Sequence, residues 1–62
     1  MIGKGFVIET FNETIDEYMF LDNDDRWTSF LTDAKVFGTK EEALQHFQNN
    51  HLSNINITIR YY

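Results

Sequence analysis

Sixty-two residues with no cysteine and a formal net charge of -5 exclude disulfide stapling and thiolate metal sites, and leave room for one small core. Hydrophobic residues at 42% and aromatics at 16% suffice for that core, so the chain reads as globular rather than disordered. No run approaches the roughly 18 apolar residues of a membrane span, and Met1–Gly5 has no apolar leader, so the expectation is a single soluble, cytosolic domain over residues 1–62.

Taken in order, Phe6–Phe11 is rich in β-branched and aromatic residues and predicts a first strand. Residues 12–16 turn it, and Glu17–Leu21 returns antiparallel. Asp22, Asn23, Asp24 and Asp25 are residues that bond their own backbone in turns, so the chain reverses again into a short strand at Arg26–Thr28. Ser29–Thr32 reads as loop. Asp33–Phe37 is ambiguous between a tight turn and an edge strand; the turn, feeding Gly38, is favoured.

Thr39 followed by Glu42 three residues later is a helix N-cap with a capping-box partner. Glu41 and Glu42 suit the positive end of the helix dipole, and Asn49 and Asn50 supply a stop. At 100° per residue Ala43, Leu44, Phe47 and His51 form one apolar stripe. Ile55, Ile57, Ile59 and Tyr61 then alternate with polar neighbours, the period of a strand with one buried face. The element order β-β-β-α-β predicts a small α+β domain with a three- to four-stranded sheet and one helix (39–50) on one face. The simplest crossover places the last strand beside the first, parallel to it, at the sheet edge.

One short helix covers one sheet face, and Phe6, Ile8, Ile55, Ile57 and Ile59 are expected beneath it. The other face then exposes Val7 and Phe11, joined by Met19 with Leu21 or by Tyr18 with Phe20 according to the parity of the second strand. A bare apolar patch of this kind predicts a homodimer, with Val7, Phe11, Met19 and Leu21 as the self-association set. Edge-to-edge pairing through the last strand is the lesser alternative, because it buries less apolar area.

Trp27-Thr28 together with Asp33-Ala-Lys-Val-Phe-Gly-Thr-Lys-Glu-Glu-Ala43 resembles a module of short uncharacterised phage and bacterial proteins, with Phe6-Val-Ile8 in the place of their first strand. The resemblance covers most of the chain and implies the same fold. It also implies a role as an accessory product that binds a host or defence protein. The Ile-rich last strand and the acidic hairpin lie outside the shared pattern.

Candidate chemistries fail at the residue level. Asp22, Asp24 and Asp33 match positions 1, 3 and 12 of a calcium loop, but Arg26 and Trp27 stand where a ligand and an obligatory Gly belong. His46 and His51 lie about 140° apart on the helix and cannot share a metal; His46 is expected to face solvent and His51 to edge the core. No nucleophile has a His and an acid at a recognisable spacing, and Gly3, Gly5 and Gly38 make no phosphate loop. Trp27 reads as core or core rim. The expectation is therefore no enzyme, no metal and no cofactor.

Charge placement stands out. From Gly5 to Asp25 there are seven acids and no Lys or Arg, a segment of -7, while the rest of the chain is +2. Such a run is either a solvated face or a contact for a protein with a basic surface, including one built for nucleic-acid phosphates. The contact reading assigns Glu13, Asp16, Glu17, Asp22, Asp24 and Asp25 to the partner site. Direct nucleic-acid binding is disfavoured by the negative charge, and nothing calls for a membrane. Two function classes follow: a non-enzymatic, phage-type accessory protein that inhibits or modulates a bacterial host or defence protein, or a homo-oligomeric assembly subunit with no heterologous target.

Overall fold

The computed structural model describes residues 5–49 and 56–62. Strands β1 (Phe6–Asn12), β2 (Glu17–Leu21) and β3 (Trp27–Thr28) precede a single 3-10 turn at Leu31–Asp33. Helix α1 (Lys40–Asn49) and strand β4 (Thr58–Tyr61) complete the element order. The strands form one sheet in the order β3-β2-β1-β4, antiparallel at every step. This is the small α+β fold expected from the sequence, with four strands and one helix among the described residues.

Each turn is built by short polar side chains. Asn12 Oδ1 accepts the Thr14 N–H at 3.0 Å, and Asp16 closes the first turn at φ 56°, a region Asp tolerates better than bulkier residues. Asp22 Oδ1 accepts two backbone N–H groups, from Asp24 at 2.9 Å and Arg26 at 3.0 Å, and Asp25 takes φ 59°. The helix begins as the capping pattern predicts, with Thr39 Oγ1 accepting the Glu42 N–H at 3.1 Å and donating to Glu42 Oε1. Asn50, at its expected end, lies outside the described residues.

The favoured tight turn at Asp33–Phe37 is replaced by something more useful to the sheet. After the 3-10 turn the chain runs between the splayed ends of β1 and β2, bridging Asp22 with Ala34 and Phe6 with Phe37. Phe6 and Phe37 exchange both backbone bonds, at 2.8 and 2.7 Å, so the wedge satisfies polar groups that the fork would orphan. Gly5 makes the wedge possible: a Cβ there would overlap Val36 Cγ1.

This wedge also explains why β4 is antiparallel to β1 and not parallel. The chain has already returned to the start of β1 at Phe37, so α1 climbs the sheet from that end. β4 must come back down, and it pairs Glu9 with Thr58 first and Phe6 with Tyr61 last. The expected position, beside β1 at the edge, is the observed one.

Strand alternation sorts the core into two layers. Under α1, Ile8, Leu21, Phe37, Ala43 and Phe47 are buried, with Phe6, Trp27, Ile57 and Ile59 packed around them. The helix stripe is narrower than predicted: Leu44 is 43% exposed. His51 and Ile55 lie outside the described residues. On the opposite face Val7, Phe20 and Ala34 form a second cluster, capped by Leu31 and Tyr62.

That second cluster corrects the residue set expected on the bare sheet face. Phe20 opposes Glu9 and Tyr18 opposes Phe11, so Tyr18 and Phe20 share the Val7 face, while Met19 and Leu21 lie on the helix side. Val7 and Leu21 are fully buried within the chain. The patch expected from Val7, Phe11, Met19 and Leu21 does not form, because the 3-10 turn and Tyr62 cover its centre and parity splits the set.

Candidate functional site

The six acids assigned to a partner fall at the two ends of β2, Glu13, Asp16 and Glu17 at one and Asp22, Asp24 and Asp25 at the other. Five residue steps of strand separate Glu17 from Asp22, about 16 Å at strand rise. The sequence therefore encodes two acidic turns, not one acidic face.

The β2–β3 turn binds its own acids. Asp22 holds the Asp24 and Arg26 N–H groups, and its backbone carbonyl accepts the Asp25 N–H at 3.1 Å. Asp25 Oδ1 lies 2.7 Å from His46 Nε2, with the His side chain only 21% exposed and its ring 5.2 Å from that of Phe37. His46 is thus a tether between helix and turn, and the expectation that it faces solvent is corrected. The helical period placed it opposite the stripe, but a turn folding over the helix flank gives that side a partner of its own.

The β1–β2 turn is different. Glu13, Asp16 and Glu17 are exposed, and around them stand Phe11 at 44%, Ile15 at 48% and Tyr18 at 53% exposure. The Phe11 and Tyr18 rings pack edge to face at 5.0 Å, a preorganised pair across the hairpin. Beside the tip runs an open groove of about 360 Å³, lined by Thr10, Phe11, Asn12, Glu13, Met19 and Trp27. Apolar side chains ringed by carboxylates are the chemistry of a protein contact: an aromatic anchor within a charged rim.

A seventh acid of the run, Glu9, has a third environment. It is buried on the second face, where Glu9 Oε1 meets Arg60 Nε at 3.2 Å and Oε2 accepts from the Tyr62 hydroxyl at 3.4 Å. Burial, and then the adjacent Glu9 carboxylate, hold the Tyr62 phenol above its usual pKa. The sequence carries a signal for this trio: Glu9 has the parity of Val7, so its charge needs a cross-strand partner, and Arg60 has the matching phase on β4. Ile15 gave no signal at all, because a lone Ile in a turn sits on no periodicity.

Among the described residues no group of three or more His, Cys, Asp or Glu is placed to hold a metal, and no helix is long and apolar enough to cross a membrane. A second open groove is lined by Lys35, Val36, Phe37, Glu42, Gln45, His46 and Asn49, with Glu42 engaged by Thr39 and His46 by Asp25. Comparison with protein-family models, with curated proteins and with solved structures gives no match.

Proposed function

We propose that the protein is a non-catalytic interaction module whose contact is the tip of the β1–β2 hairpin, and whose partner is a protein with a basic rim around an apolar recess. The observation that carries this reading is the coincidence of Phe11, Ile15 and Tyr18, all near half exposed, with the carboxylates of Glu13, Asp16 and Glu17. Large apolar side chains clustered on a surface mark a binding site more reliably than charge alone. The carboxylates would speed encounter with a cationic surface, and the aromatic pair would hold the complex.

In the role that the phage-protein resemblance implies, the partner is a bacterial host or defence protein, inhibited or modulated by occupation of a surface that otherwise meets nucleic-acid phosphates. Asp24 adds charge from the other turn, while Asp22 and Asp25 are bound within the fold.

Capture from bacterial lysate tests this with three baits: the wild type, a tip-neutralised form (Glu13→Gln, Asp16→Asn, Glu17→Gln) and Tyr18→Ala. A partner held at low salt, released at high salt and lost with both variants is the expected result. A partner retained equally by all three baits would refute the tip as the contact.

A further inference from the structure

We infer that β4 is a self-complementary edge through which two copies of this chain join, antiparallel, with Ile59 on the two-fold axis. This inference is independent of the hairpin-tip reading, since β4 carries none of the tip residues.

The phase of the β1–β4 ladder decides which groups face outward. Gly5 and Tyr62 exchange N–H to carbonyl bonds in both directions at 2.8 Å, and the register continues with Phe6 opposite Tyr61 and Val7 opposite Arg60. In an antiparallel ladder such exchanging pairs alternate with non-exchanging ones, so Thr58, Arg60 and Tyr62 bond inward to β1 while Ile59 and Tyr61 direct their N–H and carbonyl groups away from it. Phe6 gives the same phase from the other side, because its backbone groups bond Phe37 and not Tyr61. β4 is the terminal strand of the sheet, and among the described residues no strand covers its outer side.

The two sheet edges are managed differently. β3 is two residues long and is preceded by the turn that Asp22 organises, so it offers little ladder to an incoming strand. β4 is longer, carries no Pro and no Lys, and has Arg60 as its one charge. Arg60 does not guard the edge in the usual way, because its guanidinium is drawn to Glu9 on the second face. Tyr61, 56% exposed, is held upright by an edge-to-face contact with Phe6.

Charge and apolar pairing together select the register. With Ile59 opposite Ile59 of the second copy, Tyr61 meets Ile57 and Arg60 meets Thr58, so apolar side chains pair on the helix side and no like charges oppose. Sliding one way with the same outward groups puts Arg60 directly opposite Arg60, which is unfavourable; sliding the other way sets Thr58 opposite Thr58 and gives up the Tyr61–Ile57 pairs. Pairing over five residues buries well below the about 800 Å² per partner of a standard interface, so the dimer belongs to the weak, concentration-dependent class. That argues for a second copy, whose edge matches by symmetry at every position, over an unrelated strand.

Sedimentation equilibrium from about 10 µM to about 1 mM tests the proposal, alongside two variants. Thr58→Lys gains a neighbour in Glu9 on β1 yet sets Lys against Arg60 of the second copy, and should weaken association at least tenfold. N-methylation of the Ile59 nitrogen by chemical synthesis removes one outward donor and no β1 bond, and should weaken it similarly. Slowed amide exchange at Ile59 and Tyr61 as concentration rises is the matching wild-type signature. A wild type that stays monomeric throughout, or a dimer that both variants leave unchanged, would overturn the proposal.

Discussion

Three carboxylates stand at each end of β2, Glu13, Asp16 and Glu17 at one and Asp22, Asp24 and Asp25 at the other, yet only at the second end are two of them, Asp22 and Asp25, bound to the rest of the fold. Asp22 accepts two backbone N–H groups and Asp25 reaches His46, while the first set stands in solvent among Phe11, Ile15 and Tyr18. Equal charge density thus serves two ends, a turn that ties sheet to helix and a tip left open for contact. The difference lies in what the oxygens touch, and that is invisible in a count of acids.

The largest expected effect falls on the bound turn. Asp22→Ala removes two accepted N–H bonds at once and should cost about 1–3 kcal/mol, about 0.5–1.5 for each, read as a lower denaturant midpoint at unchanged slope. Thr39→Ala removes the same kind of bond at the helix start and should cost about 0.5–2 kcal/mol, which sets a yardstick for one accepted backbone N–H. If Asp22→Ala costs less than Thr39→Ala, the β2–β3 turn is not the organised element described above.

Asp25→Asn keeps a side chain suited to positive φ and removes only the charge facing His46. Because Asp25 is 40% exposed, the expected loss is below about 1 kcal/mol. Neutralising the tip as Glu13→Gln, Asp16→Asn and Glu17→Gln should leave stability within about 0.5 kcal/mol or raise it, since exposed like charges are relieved and no bond of the fold is broken. A loss above 1 kcal/mol in the denaturant melt would erase the distinction between the two turns.

Glu9 sharpens the comparison from a third position. Tyr62 beside it has a folded pKa raised above the unfolded value, so its contribution to stability is full below about pH 10 and fades as pH rises through the folded value. Tyr62→Phe should therefore flatten part of the stability loss seen above pH 10 while changing little at pH 7. An unchanged alkaline limb in melts of the variant would show that the Glu9–Tyr62 contact does not govern it.

Local chemistry was legible in the sequence wherever one residue decides the outcome. Thr39 with Glu42 starts the helix, Asn12 and the Asp22 turn reverse the chain, and strand alternation places Ile8 and Ile59 under α1. What escaped depends on chain path. The Ala34–Phe37 wedge has no periodic signature, yet it sets the end from which α1 climbs and hence the direction of β4. The parity of β2 was open until the Phe11–Tyr18 pairing was known, and with it the identity of the exposed patch. His46 looked solvent-facing because helical phase says nothing of a loop arriving from elsewhere.

The most direct test of the tip as contact is an amide hydrogen-exchange footprint of the protein with and without its captured partner. The account predicts slowed exchange across residues 11–18 with residues 22–26 unaffected. Protection confined to residues 22–26, with the tip exchanging as in the free protein, would contradict it.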